Sequence, residues 1–332
     1  MGLQDRVDPE LRGPLEEVLE RTSGGLNTIE DLRDRRVRFV ELKRRAAADT
    51  PRNPRVRWED LTIFESATRH PIDLRIYHRV GSSGRLPGLC FIHGGGMIMG
   101  DLETDHDLAT TLTDRVGCVT VSVDYRLAPE NPHPAPVEDC YQALAWTEAH
   151  AGELGIDPSR LGIFGLSSGG GLAACAALVA REMGTPRLAH QMLIYPMLDD
   201  RNDTPSSHEI VDLGVWDRAA NLSAWQSLLG DRAGGADVPS CAAAARVSDL
   251  AGLPPTYIEV GELDLIRDEC LDYAIRLLRA GVPTEVHTDP GAYHAFDILA
   301  PHAAVSQRAL DRRVAALKRA LAVADDGSHR SR

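Results

Sequence analysis

Two adjacent serines stand among glycines in Gly165-Leu166-Ser167-Ser168-Gly169-Gly170-Gly171. The spacing Gly165-x-Ser167-x-Gly169 suits a nucleophile at a sharp strand-to-helix turn, where flanking glycines let the chain pass close without Cβ clashes. It selects Ser167, because Ser168 would need a glycine at 166, and that position is Leu166. Ser168 instead supplies the first N–H after the nucleophile, at a helix N-terminus where a developing oxyanion is stabilised. A serine hydroxyl is a weak nucleophile until a base takes its proton and a third group orients the base. Two aspartates follow the apolar run ending at Gly261: Asp264, and Asp268 one helical turn later. Asp268 reads as a helix N-terminal carboxylate, which leaves Asp264. The stretch 284–296 then offers two histidines: His287 inside a strand-like run, and His294 past Asp289-Pro290-Gly291 on a loop. The loop position favours His294. Upstream, His93-Gly94-Gly95-Gly96 can turn bare backbone amides toward a substrate oxygen. The chemistry these residues could do together is nucleophilic acyl transfer.

Such residues need elements to hold them. Residues 1–50 read as charged helices, with Ile29, Leu32, Phe39 and Val40 on one side and Thr28 as an expected N-cap. Two β-rich runs, 61–66 and 72–79, suggest a hairpin. Strand-like runs at 86–93, 118–125, 159–165, 188–196, 254–261 and 283–290 then alternate with helical patterns at 102–117, 135–154, 168–184, 268–281 and 303–323. That alternation predicts an α/β protein with a mostly parallel sheet covered on both faces. Residues 197–239, with Trp216 and Trp225, break it. An insertion there belongs above the strand C-termini, where ligands bind in open parallel sheets. The expected organisation is N-terminal cap helices (1–50), a core in two parts (51–196 and 240–324), a cap insertion (197–239) and a disordered tail (325–332). Gly169-x-Gly171-x-x-Ala174 also fits a dinucleotide fingerprint, but its first glycine already lies inside the helix rather than at the strand end.

The 332 residues carry a formal net charge of −13. A chain this acidic is poorly suited to gripping phosphate backbones, so no nucleic-acid partner is expected. No run approaches the ~20 apolar residues of a membrane span, and the start lacks an apolar signal core. The six cysteines are widely spaced, with no C-x-x-C pair, and read as buried free thiols. The expected location is cytoplasmic.

The chain resembles the hormone-sensitive-lipase-like carboxylesterases (bacterial family IV) of the α/β-hydrolase superfamily. The resemblance runs from about Arg57 to Leu321 and rests on "HGGG", "DYRLAPENPHPAPVED", "GLSSGG", "YPMLDDR" and "GELDLIRDE…GAYHAF". It implies the α/β-hydrolase fold: a mostly parallel eight-stranded sheet, helices on both faces and a helical cap. It also implies Ser167 as nucleophile, Asp264 as acid and His294 as base, with Gly94, Gly95, Gly96 and Ser168 at the oxyanion hole. A small-molecule ester as substrate, no cofactor, no metal and a homodimer go with it. Met97, Leu166 and Trp216 are expected to contact substrate. Asp124, Arg126, Glu130 and Asp139 are expected to form a structural network behind the oxyanion loop. The chain departs from the usual G-D-S-A-G-G elbow at Leu166 and Ser168, and from the usual aromatic residue at Met97. The same triad could serve a deacetylase or amidase on a small N-acyl or O-acetyl compound. Plant gibberellin receptors use the fold without catalysis but lack the histidine that His294 supplies here.

Overall fold

The computed structural model describes residues 2–22, 24–48, 52–64 and 70–322. Of the expected hairpin connection at 67–71, residues 67–69 lie outside the described residues, as does the tail 325–332. Eight strands form one sheet: β1 (Val56–Phe64), β2 (Pro71–Arg79), β3 (Leu86–Ile92), β4 (Val119–Asp124), β5 (Ile156–Leu166), β6 (His190–Ile194), β7 (Thr256–Gly261) and β8 (Thr284–Asp289). Their spatial order is β1-β2-β4-β3-β5-β6-β7-β8. β2 runs antiparallel to both β1 and β4; every other pair is parallel. β6 and β7 are buried along their whole length and β5 from Leu161 to Leu166, as expected of strands covered on both faces.

The helices are α1 (Leu3–Arg6), α2 (Pro9–Arg21), α3 (Leu32–Ala48), α4 (His106–Leu112), α5 (Ala135–Ala149), α6 (Ser168–Met183), α7 (Pro205–Glu209), α8 (Arg218–Leu229), α9 (Arg267–Arg279), α10 (Phe296–Leu299) and α11 (Ala304–Ala320). Two expectations shift. α3 starts later than expected because Asp31, not Thr28, caps it: Asp34 N–H donates to Asp31 Oδ1 at 2.9 Å. The Thr28 hydroxyl is spent on the carbonyls of Thr22 and Gly25, at 2.8 and 2.7 Å. The helix expected at 102–117 shrinks to α4, followed by a π turn. Asp101 Oδ1 takes the Glu103 N–H at 2.9 Å, a local bond that competes with helix formation.

The parallel strands point their C-terminal ends the same way, so the loops after β3, β5, β7 and β8 open on one rim of the sheet. α2, α3 and the segment between β6 and β7 contribute side chains to a cavity above that rim.

Candidate active site

β5 ends at Leu166 and α6 begins at Ser168, so Ser167 is the whole turn. Its backbone has φ 53° and ψ −122°, a region an L-residue occupies only under constraint. Three hydrogen bonds supply the constraint. Ser167 N–H donates to Ile194 O (2.9 Å), and Ser167 O accepts from Gly171 and Met197 N–H (3.1 and 3.0 Å). The flanking glycines are there for close approach. A Cβ on Gly165 would sit 2.1 Å from Gly169 O, and one on Gly169 would sit 2.3 Å from the carbonyls of Ile92 and His93.

His294, on the loop after β8, reaches this turn: its Nε2 lies 2.8 Å from Ser167 Oγ. Its Nδ1 lies 2.7 Å from Asp264 Oδ2, on the loop after β7. A carboxylate only accepts, so Asp264 assigns the proton to Nδ1 and leaves Nε2 to accept from the serine. Asp264 is itself held by the N–H of Ile266 at 3.1 Å. The two loops are stitched by Leu263 N–H donating to Ala292 O at 2.9 Å. All three groups are buried: Ser167 is 8% exposed, His294 4% and Asp264 1%. Tyr195 stands edge-on to the imidazole, ring centroids 4.9 Å apart. Its hydroxyl donates to Asp297 Oδ1 at 2.9 Å. Asp297 is paired in turn with the buried Arg313, which also holds Glu259.

The loop after β3 carries His93-Gly94-Gly95-Gly96. Gly95 has φ 122°, and a Cβ there would meet Met99 O at 2.1 Å, so only glycine fits. The N–H groups of Gly95, Gly96 and Ser168 donate to no group among the described residues. Gly94 differs: its N–H donates to Asp105 Oδ2 at 3.2 Å, so it braces the loop and offers no amide to a ligand. His93 is buried and its Nδ1 donates to Gly94 O at 2.7 Å. It stacks on Tyr125, whose hydroxyl donates to His93 O at 3.1 Å. Burial holds the His93 imidazole below its usual pKa.

A cavity of about 410 Å³ lies over these groups. Its walls are largely apolar, from Val18, Leu26, Phe39, Leu42, Val215 and Ile298. Leu166 and Trp216 line it as expected, and Trp216 packs so close to Gly96 that a Cβ there would sit 2.4 Å from the ring. Met97 does not line it. Its backbone is left-handed (φ 63°) and its carbonyl accepts from Ala128 N–H, which turns the side chain into the core; Met99 reaches the cavity instead.

Other residues singled out in the sequence are elsewhere. Asp268 accepts from Ser206 N–H at 2.7 Å in the first turn of α9. His287 pairs with Glu285 on the edge strand. The expected network behind the loop reduces to Arg126 gripping Asp139 with Nε and Nη2 at 2.8 and 2.7 Å. Glu130 is taken by Arg36 of α3, and no partner holds Asp124 among the described residues. Lys43, Asp105 and Tyr195 also line the cavity and were missed. Tyr195 opens the "YPMLDDR" stretch, but its place in that stretch does not say that it faces the cavity; Lys43 and Asp105 lie in no motif, and only the folded chain brings them to the rim.

Among the described residues no cluster of His, Cys, Asp or Glu is arranged to hold a metal ion, and no helix is long and apolar enough to cross a membrane. A profile of the α/β-hydrolase-fold family matches residues 89–298. The chain belongs to that family. Within it the hydrolase sits in the hormone-sensitive-lipase-like branch, among the carboxylic ester hydrolases. It is 36% identical over 271 residues to carboxylesterase NlhH of Mycobacterium tuberculosis, covering 81% of this chain and 84% of that one. It is 37% identical over 291 residues to esterase LipI of M. tuberculosis, covering 84% and 88%. Among solved structures, a bacterial heroin esterase superposes with TM-score 0.89 at 38% identity, covering 96% of this hydrolase and 98% of that chain. Esterase LipW of Mycobacterium marinum superposes with TM-score 0.82 at 36% identity, covering 96% of each chain.

Proposed function

We propose that this chain is a serine carboxylesterase that hydrolyses short- to medium-chain esters through an acyl-enzyme on Ser167. The observation that carries the reading is the unbroken hydrogen-bonded line from Asp264 through His294 to Ser167, ending beside unpaired amides under an apolar cavity. Ser167 Oγ attacks the ester carbonyl while His294 Nε2 takes its proton. The N–H groups of Gly95, Gly96 and Ser168 stabilise the oxyanion of the tetrahedral intermediate. His294 then gives the proton to the leaving alcohol. Water, activated by the same imidazole, releases the acid and restores the serine. Asp264 holds the productive tautomer and stabilises the imidazolium without becoming protonated. Burial of the triad strengthens each of these electrostatic effects.

The described cysteines are all free thiols, which suits a reducing cytoplasm and supports that location. The homodimer implied by the resemblance belongs to the same proposal, and light scattering on the purified chain reads it directly.

The test pairs turnover with labelling. The protein should hydrolyse p-nitrophenyl acetate and butyrate, and a fluorophosphonate probe should label Ser167. Ser167→Ala should abolish labelling and lower kcat by about 10⁴- to 10⁶-fold. Undiminished turnover in that variant would refute the assignment.

A further inference from the structure

The loop carrying the candidate oxyanion amides is held at both ends by one N-terminal helix. α3 presents Arg36 and Lys43, two turns apart and therefore on one face. Arg36 Nε donates to Ile98 O at 2.6 Å, just past the glycines. Its Nη2 donates to Ala128 O at 3.0 Å, and its fork grips the Glu130 carboxylate at 2.8 and 2.7 Å. Lys43 Nζ donates to Asp105 Oδ1 at 2.6 Å, and the other oxygen of Asp105 takes the Gly94 N–H. Asp105 is buried, its side chain only 3% exposed, and Lys43 lies along the cavity wall at 19%.

The energetics give this pairing weight. A buried carboxylate that loses its cation becomes an uncompensated charge, which is strongly unfavourable. Burial pushes the Asp105 carboxyl up, and the charge and hydrogen bond of Lys43 with the Gly94 N–H more than offset it, so it stays below the usual carboxylate range. Without Lys43, Asp105 must turn toward water or take up a proton, and either change loosens its hold on Gly94. The plane of the 93–94 peptide sets the direction of the Gly95 and Gly96 amides that follow. Amides aimed at an oxyanion act through preorganisation, so displacement of even ~1 Å can cost about 100-fold in rate.

We infer that Lys43 and Arg36 are positioning residues, and that α3, by clamping the 94–98 loop through Asp105 and through Ile98, completes the oxyanion hole. The inference rests on the serine-esterase reading above. It makes docking of α3 a condition for acylation, and not only a wall for substrate.

The test compares the wild type with Lys43→Met, Lys43→Arg and Arg36→Gln on p-nitrophenyl butyrate. Each is also titrated with a trifluoromethyl ketone, whose adduct with Ser167 carries the oxyanion, and with butanol as a neutral competitor. Lys43→Met should lower kcat about 10- to 100-fold with KM changed less than about threefold. Its ketone Ki should rise by the same factor as kcat/KM falls, while the butanol Ki stays put. Lys43→Arg should recover most of the loss. Arg36→Gln should show the same pattern more weakly, and it carries the test should Lys43→Met fail to fold. Wild-type kcat and ketone affinity in the folded variants would overturn the clamp, as would a loss confined to KM. A wild type that neither turns over the ester nor labels with a fluorophosphonate would instead remove the esterase reading, and the clamp with it.

Discussion

His294 can serve as a base only if its second nitrogen is fixed, and Asp264 is the group that fixes it. Asp264→Asn tests this at the scale of single atoms. An amide of the same shape keeps the volume, but its NH2 faces Nδ1 and favours the tautomer with the proton on Nε2. That tautomer cannot accept from Ser167. The expected loss is about 10⁴-fold in kcat with the unfolding midpoint little changed, read by steady-state kinetics beside thermal melts. A loss below about tenfold would mean that Asp264 does not orient the imidazole. The three side chains of this line were legible in the sequence because each stands just past a strand, and strand ends can be read from apolar runs. Gly94 and Met97 were misread because motif spacing does not say which amide is already bonded or which way a side chain turns. Asp105 decides the first, and the left-handed backbone of Met97 decides the second.

Elements bring remote groups into contact, and the support behind His294 draws on four of them. Tyr195 follows β6, Glu259 lies in β7, Asp297 in α10 and Arg313 in α11. Arg313 is 1% exposed and lies between two carboxylates, with Glu259 fully buried. Arg313→Met would leave Glu259 and Asp297 with no such cation between them, although Arg312 still touches Glu259 at 3.4 Å. Removing one partner from a buried ionic group costs about 3–5 kcal/mol, so urea unfolding of Arg313→Met should show a loss of that size. A change under about 1 kcal/mol would show the cluster to be dispensable. kcat should also fall, because Asp297 would no longer anchor the Tyr195 hydroxyl against the imidazole. The strand–helix alternation was legible from hydrophobic period alone. Exact helix starts were not: Thr28 and Asp31 both have the chemistry of a cap, and only the carbonyls around Thr28 show which one is free. The contacts of α3 with the glycine loop after β3 and with Asp105 were hidden for a similar reason, since a charged helix face reads as solvated until something is found opposite it.

At the scale of the whole molecule, the sheet order was the least legible feature. Alternation predicts parallel strands, but nothing in the residues says that β4 lies between β2 and β3. That placement has an electrostatic consequence in a chain carrying 13 excess negative charges. It sets Asp124, at the end of β4, directly across from Asp73 of β2. Burial, followed by the charges of Asp101, Asp73 and Asp139, pushes the Asp124 carboxyl up to about 6 from an ordinary 3.8. The folded chain therefore binds this proton more tightly than the unfolded chain does. Between about pH 4 and pH 6 the folded state gives up that advantage as pH rises, and above about 6 the full cost of an ionised Asp124 weighs on the fold. Asp124→Asn removes the charge while keeping the shape. It should stabilise the protein at pH 8 by an amount on the order of 1–3 kcal/mol, the upper figure corresponding to the whole shift at 1.36 kcal/mol per pKa unit. At pH 4, where the carboxyl is mostly protonated in the folded state, the difference should nearly vanish. Urea midpoints for the two proteins at pH 4, 6 and 8 measure this directly. A gap that stays constant across the three would place the origin of the difference in packing, and would mean that this crowding of carboxylates is screened by water.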